Sequence, residues 1–187
     1  MSIENLKERI PEFARDIRLN VSSVLGGSTG TPGLEAPVAY GTAYACAVAS
    51  GNRHLIEAIE GQAGELLDEA RRNAARSAAA VMAMNNVYYR FVHFTGDEEY
   101  ARLPARLRMN VIGRPGIDKA EFELYCLAVS AMNGCEFCVK AHERVVRGAG
   151  YTREGVQSAG RIAAVVAATA NVLSIAAPEG DETARAA

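Results

Sequence analysis

No alternating apolar–polar pattern of strand length occurs along the chain. Apolar and alanine-rich runs are instead separated by glycine, proline and capping residues, which is the layout of successive helices. Ser2 is placed to cap a short first helix through Arg9, and Pro11 suits the first turn of a second helix over 12–24. Residues 26–33, rich in Gly, Ser and Thr, read as a flexible connector. The connector lacks the Lys of a phosphate loop and follows a helix rather than a strand, so no phosphate role is assigned to it. Helices are expected over 37–50 and 53–60, with a break at Gly51-Asn52, and one long tract over 65–93 with an alanine-rich packing face that ends at Thr95-Gly96-Asp97. Arg114-Pro115-Gly116 is a turn. Asp118 then opens a helix with Glu121 three residues on, which is capping-box spacing. That helix runs to Met132 and stops at Asn133-Gly134, a pair suited to a left-handed cap. The next helix covers 135–147 and is ended by Gly148 and Gly150. Thr152 caps the last, over 153–176, and the tail 178–187 is expected to fray.

Many helices joined by short connections predict a compact all-α bundle, taken as a single domain over 1–187. A faint internal repeat relates Ala83-Met84-Asn85-Asn86-Val87-Tyr88-Tyr89-Arg90 to Ala131-Met132-Asn133-Gly134-Cys135-Glu136-Phe137-Cys138 at an offset of 48, with three identical residues and a similar helix–turn context. Duplication into two similar helical halves and chance explain it equally well. On the first reading only the second copy has the cysteines, so 1–113 is mainly scaffold and 114–177 carries the chemistry.

Composition agrees with the pattern. The 187 residues include 34 alanines, 5 Phe, 7 Tyr and no Trp, and alanine favours helix while strands favour aromatic and β-branched residues. The chain is 49% apolar, enough for a core. A net charge of −2 with a pI near 6.0 argues against a nucleic-acid partner. Met1 to Arg9 alternates charged and apolar residues, without the apolar core of a signal peptide. The longest apolar stretch, 162–177, is interrupted by Thr169, Asn171 and Ser174 and is shorter than the roughly 20 residues of a membrane span. A cytoplasmic protein is expected. Disulfide staples are rare there, so paired cysteines point to catalysis, redox chemistry or metal binding.

Four cysteines and three histidines are the candidates, and one segment concentrates them: Cys135-Glu136-Phe137-Cys138-Val139-Lys140-Ala141-His142. If it opens a helix, Cys135 sits near the N-cap, where free N–H groups and the positive dipole end favour a thiolate. Cys138 lies one turn on along the same face, within reach for a disulfide that closes a small ring. His142, four residues further, brings an imidazole to Cys138, the arrangement of an activated nucleophile. These positions make Cys138 the attacking thiolate and Cys135, at the better exposed helix tip, the resolving thiol. Two bland alternatives stay open: a pair of buried apolar thiols, and a zinc site from Cys126, Cys135, Cys138 and His142, although Cys126 lies inside the preceding helix. Val139 after the second cysteine excludes c-type haem attachment. Cys46 and Cys126 read as core residues, and His54 and His93 as structural. Glu121 reads as a cap; Glu123 is ambiguous on spacing alone, since a helix carboxylate among Phe122, Leu124 and Tyr125 usually just faces solvent.

These residues resemble the alkyl hydroperoxide reductase D (AhpD) family, within the carboxymuconolactone decarboxylase-like superfamily. The resemblance covers nearly the whole chain. It rests on CxxC-x3-His with Glu123 twelve residues before the first Cys, and on Met82 through Arg90, Leu107 through Ile112, Phe122-Glu123-Leu124 and Ala128 through Cys135. It implies an all-helical homotrimer with lipoyl-linked peroxidase activity on alkyl hydroperoxides and no bound cofactor. Carried over by position, Cys138 forms the sulfenic acid, Cys135 donates a proton and closes the disulfide, and His142 with Glu123 forms a proton relay. The implied partners are an AhpC-type peroxiredoxin, which the protein reduces, and a lipoylated acyltransferase with its dihydrolipoamide dehydrogenase, which reduce it. Several members carry His immediately before the second cysteine, where this chain has Phe137. Non-redox lyase chemistry, as elsewhere in the superfamily, is the remaining alternative.

Overall fold

The structure is a computed structural model and describes residues 1–26 and 31–176, so the expected frayed tail and the centre of the 26–33 connector lie outside the described residues. Among the described residues there are helices and no strand. The first four helices are α1 (Ile3–Glu8), α2 (Arg15–Leu25), α3 (Ala36–Ser50) and α4 (Arg53–Ala63). They are followed by α5 (Glu69–Thr95) and the short α6 (Glu98–Arg102) and α7 (Asn110–Gly113). The C-terminal part is α8 (Lys119–Met132), α9 (Glu136–Gly148) and α10 (Arg153–Ala176).

Local chemistry accounts for most boundaries. Ser2 Oγ, Asn52 Oδ1 and Asp68 Oδ1 accept the first free N–H groups of α1, α4 and α5, and Gly51 and Gly96 end α3 and α5 with φ of +68° and +66°. Three expectations need correction. The second helix opens with a 3-10 turn over Glu12–Ala14 before α2 begins at Arg15. The long helix begins at Glu69, because Gly64–Leu66 forms a separate 3-10 turn and Asp68 supplies the cap. The segment between α5 and the Arg114 turn, assigned nothing by sequence, contains α6 and α7.

The core is built around α3, where Gly41 to Ala47 is buried without a break. Small residues make this possible. A Cβ on Gly41 would lie 1.9 Å from the Tyr125 hydroxyl of α8, so the two helices meet where no side chain fits. α10 packs on α2, α3 and α8. It is long and apolar enough to cross a membrane, with 24 residues, but Ser158, Ala159, Ile162, Ala163, Val166 and Thr169 are buried in the bundle, which makes it a core helix.

α5 and α8 lie side by side and run parallel: Arg71 meets Glu121, Met82 meets Ser130 and Asn86 meets Asn133. The two repeated segments therefore lie against one another. Their helix–turn contexts differ, however. α8 stops at Asn133-Gly134, with Gly134 at φ +65°, whereas α5 runs on through Asn85-Asn86 to Thr95. Asn86 is retained in the helix with its side chain buried and bonded across the interface.

Candidate active site

α8 and α9 bring four of the singled-out residues into one place. Gly134 lets the chain reverse at a positive φ, and Cys135 follows as N-cap of α9, its sulfur accepting the backbone N–H of Cys138 at 3.3 Å. Cys135 and Cys138 form a disulfide, with Cα atoms 5.3 Å apart. One turn beyond Cys138, His142 faces α8, where its Nδ1 lies 2.5 Å from Glu123 Oε2. Both members of that pair are buried, Glu123 at 4% and His142 at 8% exposure. A buried carboxylate needs a partner, and this one has His142. Glu123 occupies Nδ1, so Nε2 is the ring nitrogen left to exchange a proton.

The exposure of the cysteines differs from expectation. Cys135 is completely buried, and Cys138 keeps 3% of its surface. The helix tip lies where α9 packs on α8 and α5, and Phe137 stacks on Tyr89 of α5 with ring centroids 4.9 Å apart and planes 19° apart. Phe137 itself is half exposed and continues into an apolar cleft of about 390 Å³ lined by Tyr88, Tyr89, Val92, Tyr100 and Leu103.

The other candidates fall elsewhere. Cys46 and Cys126 are buried free thiols in α3 and α8. Burial pushes both above the ordinary thiol range, and the charge of Glu123 adds to the effect at Cys126. Among the described residues no group of three or more His, Cys, Asp or Glu side chains is arranged to hold a metal ion, so the zinc set of Cys126, Cys135, Cys138 and His142 is not assembled. His54 Nδ1 lies 3.4 Å from Arg9, and His93 lies 3.7 Å from Glu136, away from the Glu123–His142 pair.

Two readings of α8 are corrected. Asp118 Oδ1 does accept the Glu121 N–H at 2.9 Å, but the Glu121 side chain does not return to complete a capping box. It is buried, binding Arg71 at 2.8 Å and accepting the Tyr125 hydroxyl. Glu123 is not solvent-facing. Every residue from Glu121 to Ser130 is buried, so this stretch of α8 has no solvated face for a carboxylate; in the sequence it carries no charged residue besides Glu121 and Glu123.

The fold and this site define an all-helical protein in which a CxxC disulfide opens a helix that also carries the histidine of a buried Glu–His pair. Residues 98–178 match the model of the carboxymuconolactone decarboxylase family. Over most of its length the chain is also similar to proteins named alkyl hydroperoxide reductase AhpD. That of Bradyrhizobium sp. (strain BTAi1) is 51% identical over 95% of this chain and 96% of its own. That of Rhizorhabdus wittichii is 53% identical over 92% and 97%, and that of Rhodospirillum centenum 51% over 92% and 91%. The chain belongs to the AhpD family.

Proposed function

We propose that this protein is an antioxidant thiol peroxidase and disulfide reductase acting on alkyl hydroperoxides. The carrying observation is the Cys135–Cys138 pair at the N-terminus of α9 with the buried Glu123–His142 pair one turn away. The relatives' name, alkyl hydroperoxide reductase, supports the substrate class.

In the reduced protein, His142 Nε2 takes the Cys138 proton while Glu123 holds Nδ1–H and offsets the charge that forms on the ring. Cys138 is the cysteine that keeps some exposed surface, which favours it as the attacking residue. Its thiolate attacks the terminal oxygen of the hydroperoxide. The O–O bond breaks, the sulfur becomes a sulfenic acid, and the alkoxide leaves as alcohol with a proton from the relay. Cys135 then attacks the sulfenic sulfur, forming the disulfide and releasing water. A dihydrolipoyl dithiol reduces the disulfide by thiol exchange and becomes the cyclic lipoyl disulfide. The lipoyl group is an external reductant on an acyltransferase, regenerated by dihydrolipoamide dehydrogenase. The same reduced pair passes electrons to an AhpC-type peroxiredoxin, and the working form is a homotrimer in the cytoplasm.

Peroxide consumption coupled to lipoamide, lipoamide dehydrogenase and NADH tests this. NADH oxidation should require both peroxide and the protein, cease in Cys138→Ser and fall strongly in Cys135→Ser. Turnover that survives in the double variant overturns the reading.

A further inference from the structure

The repeated Met-Asn segments have a use that the proposed chemistry does not absorb. Asn86, in the middle of α5, and Ser130, on α8, are both buried, and burying polar groups between helices is costly unless each is bonded. Asn86 Nδ2 donates to Ser130 Oγ at 2.9 Å, and its Oδ1 accepts Asn133 Nδ2 at 2.9 Å. One turn later on α5, Arg90 Nη1 donates to the backbone carbonyl of Asn133 at 2.6 Å. Asn133 is thus held by its side chain and by its backbone. It precedes Gly134, the positive-φ residue on which the chain turns, and Cys135 comes next.

We propose that Asn86 and Arg90 are positioning residues for the dithiol: by fastening the turn at Asn133-Gly134 to α5, they hold Cys135 where its sulfur meets Cys138. The inference rests on the reading of this pair as a cycling dithiol. It adds two residues, from a different helix, that set how readily the pair cycles.

The physical link is effective concentration. A dithiol closes to a disulfide in proportion to the time its sulfurs spend within reach, and a fixed turn raises that fraction. Cys138 is fixed inside α9. Cys135 stands at its edge, on a turn containing glycine; its N–H donates to Ser130 O at 3.0 Å and its C=O accepts Val139 N–H at 2.9 Å, so its placement joins α9 to the end of α8, which Asn133 fastens to α5. Releasing Asn133 widens the range of Cys135, lowers the effective concentration and makes the disulfide easier to reduce. The extended α5 helix is a suitable anchor, since Phe137 also packs on it through Tyr89.

The test is the equilibrium between dithiol and disulfide forms in dithiothreitol redox buffers, read as the alkylated mass of the full-length protein. Asn86→Ala and Arg90→Met should each shift the equilibrium toward dithiol about tenfold, a potential less negative by about 30 mV. Arg90→Lys, which keeps a cationic donor, should recover most of the shift. Ser130→Ala removes a neighbour of the same network while Asn86 keeps Asn133, so it should lower thermal stability and move the equilibrium less than twofold. Arg90 is only partly buried, so Arg90→Met provides a folded test if Asn86→Ala does not fold. Equilibria within twofold of the parent in Asn86→Ala and Arg90→Met, or a shift toward disulfide, overturn the inference. A dithiothreitol titration needs no peroxide. If the variants shift but the parent consumes no peroxide, the peroxidase reading fails and the positioning role stands; turnover without a shift gives the converse.

Discussion

Replacing Glu123 by Gln keeps the size of the side chain and removes its charge. The carboxylate lies 2.5 Å from His142 Nδ1, and both groups are buried. A hydrogen bond to a charged group contributes about 1.5–3 kcal/mol, against about 1 kcal/mol between neutral groups. Glutamine can still accept the Nδ1–H, so the neutral imidazole stays oriented and folding stability should fall by less than about 1.5 kcal/mol. The charge matters most when His142 has taken the proton of Cys138, because an imidazolium then sits beside the buried carboxylate. A difference of about 1–2 kcal/mol in that state corresponds to about a 5- to 30-fold slower oxidation of Cys138 by peroxide. Single-turnover mixing of the reduced protein with excess alkyl hydroperoxide, stopped at intervals by thiol alkylation, measures this rate. Urea unfolding of the same samples reports stability. A rate within twofold of the parent refutes the relay, and so does a slower rate accounted for by loss of folded protein.

Further outcomes follow from the same contacts. Cys135→Ser should take up one equivalent of peroxide and hold Cys138 as a sulfenic acid, seen as a dimedone adduct by mass, while Cys138→Ser should give none. Glu121→Ala leaves the buried Tyr125 hydroxyl without its acceptor, while Arg71 keeps Asp68 at 3.1 Å, and should cost about 1–3 kcal/mol in urea unfolding, with the dithiol equilibrium unchanged. The thiol of Cys46 is held well above its ordinary value of 9.0 by burial, so the folded state resists its ionisation. Its contribution to stability is full below that ordinary value and is lost as pH rises above it, where the unfolded chain releases the proton. In reducing buffer, Cys46→Ala should therefore lose about 2 kcal/mol less than the parent between pH 8.5 and 10.5, measured by urea unfolding at each pH.

Helix identity was legible because it depends on short-range terms. Caps at Ser2 and Asp118 act within one turn, and glycine at 51, 96 and 134 permits the positive φ that ends a helix or reverses the chain. The spacing of Cys135, Cys138 and His142 also fixes their shared face once the helix is granted. Burial was harder to read. Cys135 was expected at an exposed tip, yet it is buried where α9 packs against α8 and α5, and no residue within the segment announces that packing. Glu121 and Glu123 stand two residues apart on α8 and face different partners, Arg71 on α5 and His142 on α9. Local spacing could not separate a cap from an ion pair, because the separating partners are 50 and 19 residues away.

By itself, then, the sequence determined most of the helices and the dithiol segment, since helical periodicity, capping and motif spacing are properties of neighbours along the chain, and its resemblance to known proteins pointed to the family. Tertiary structure alone decided that α5 and α8 lie parallel, that the Glu123–His142 pairing implied by the resemblance is buried inside the bundle, and that Asn86 and Arg90 bond Asn133 in the turn before Cys135. Those relations join residues far apart in sequence. Each exists because a buried charge or amide must find a partner on whichever helix the packing places against it.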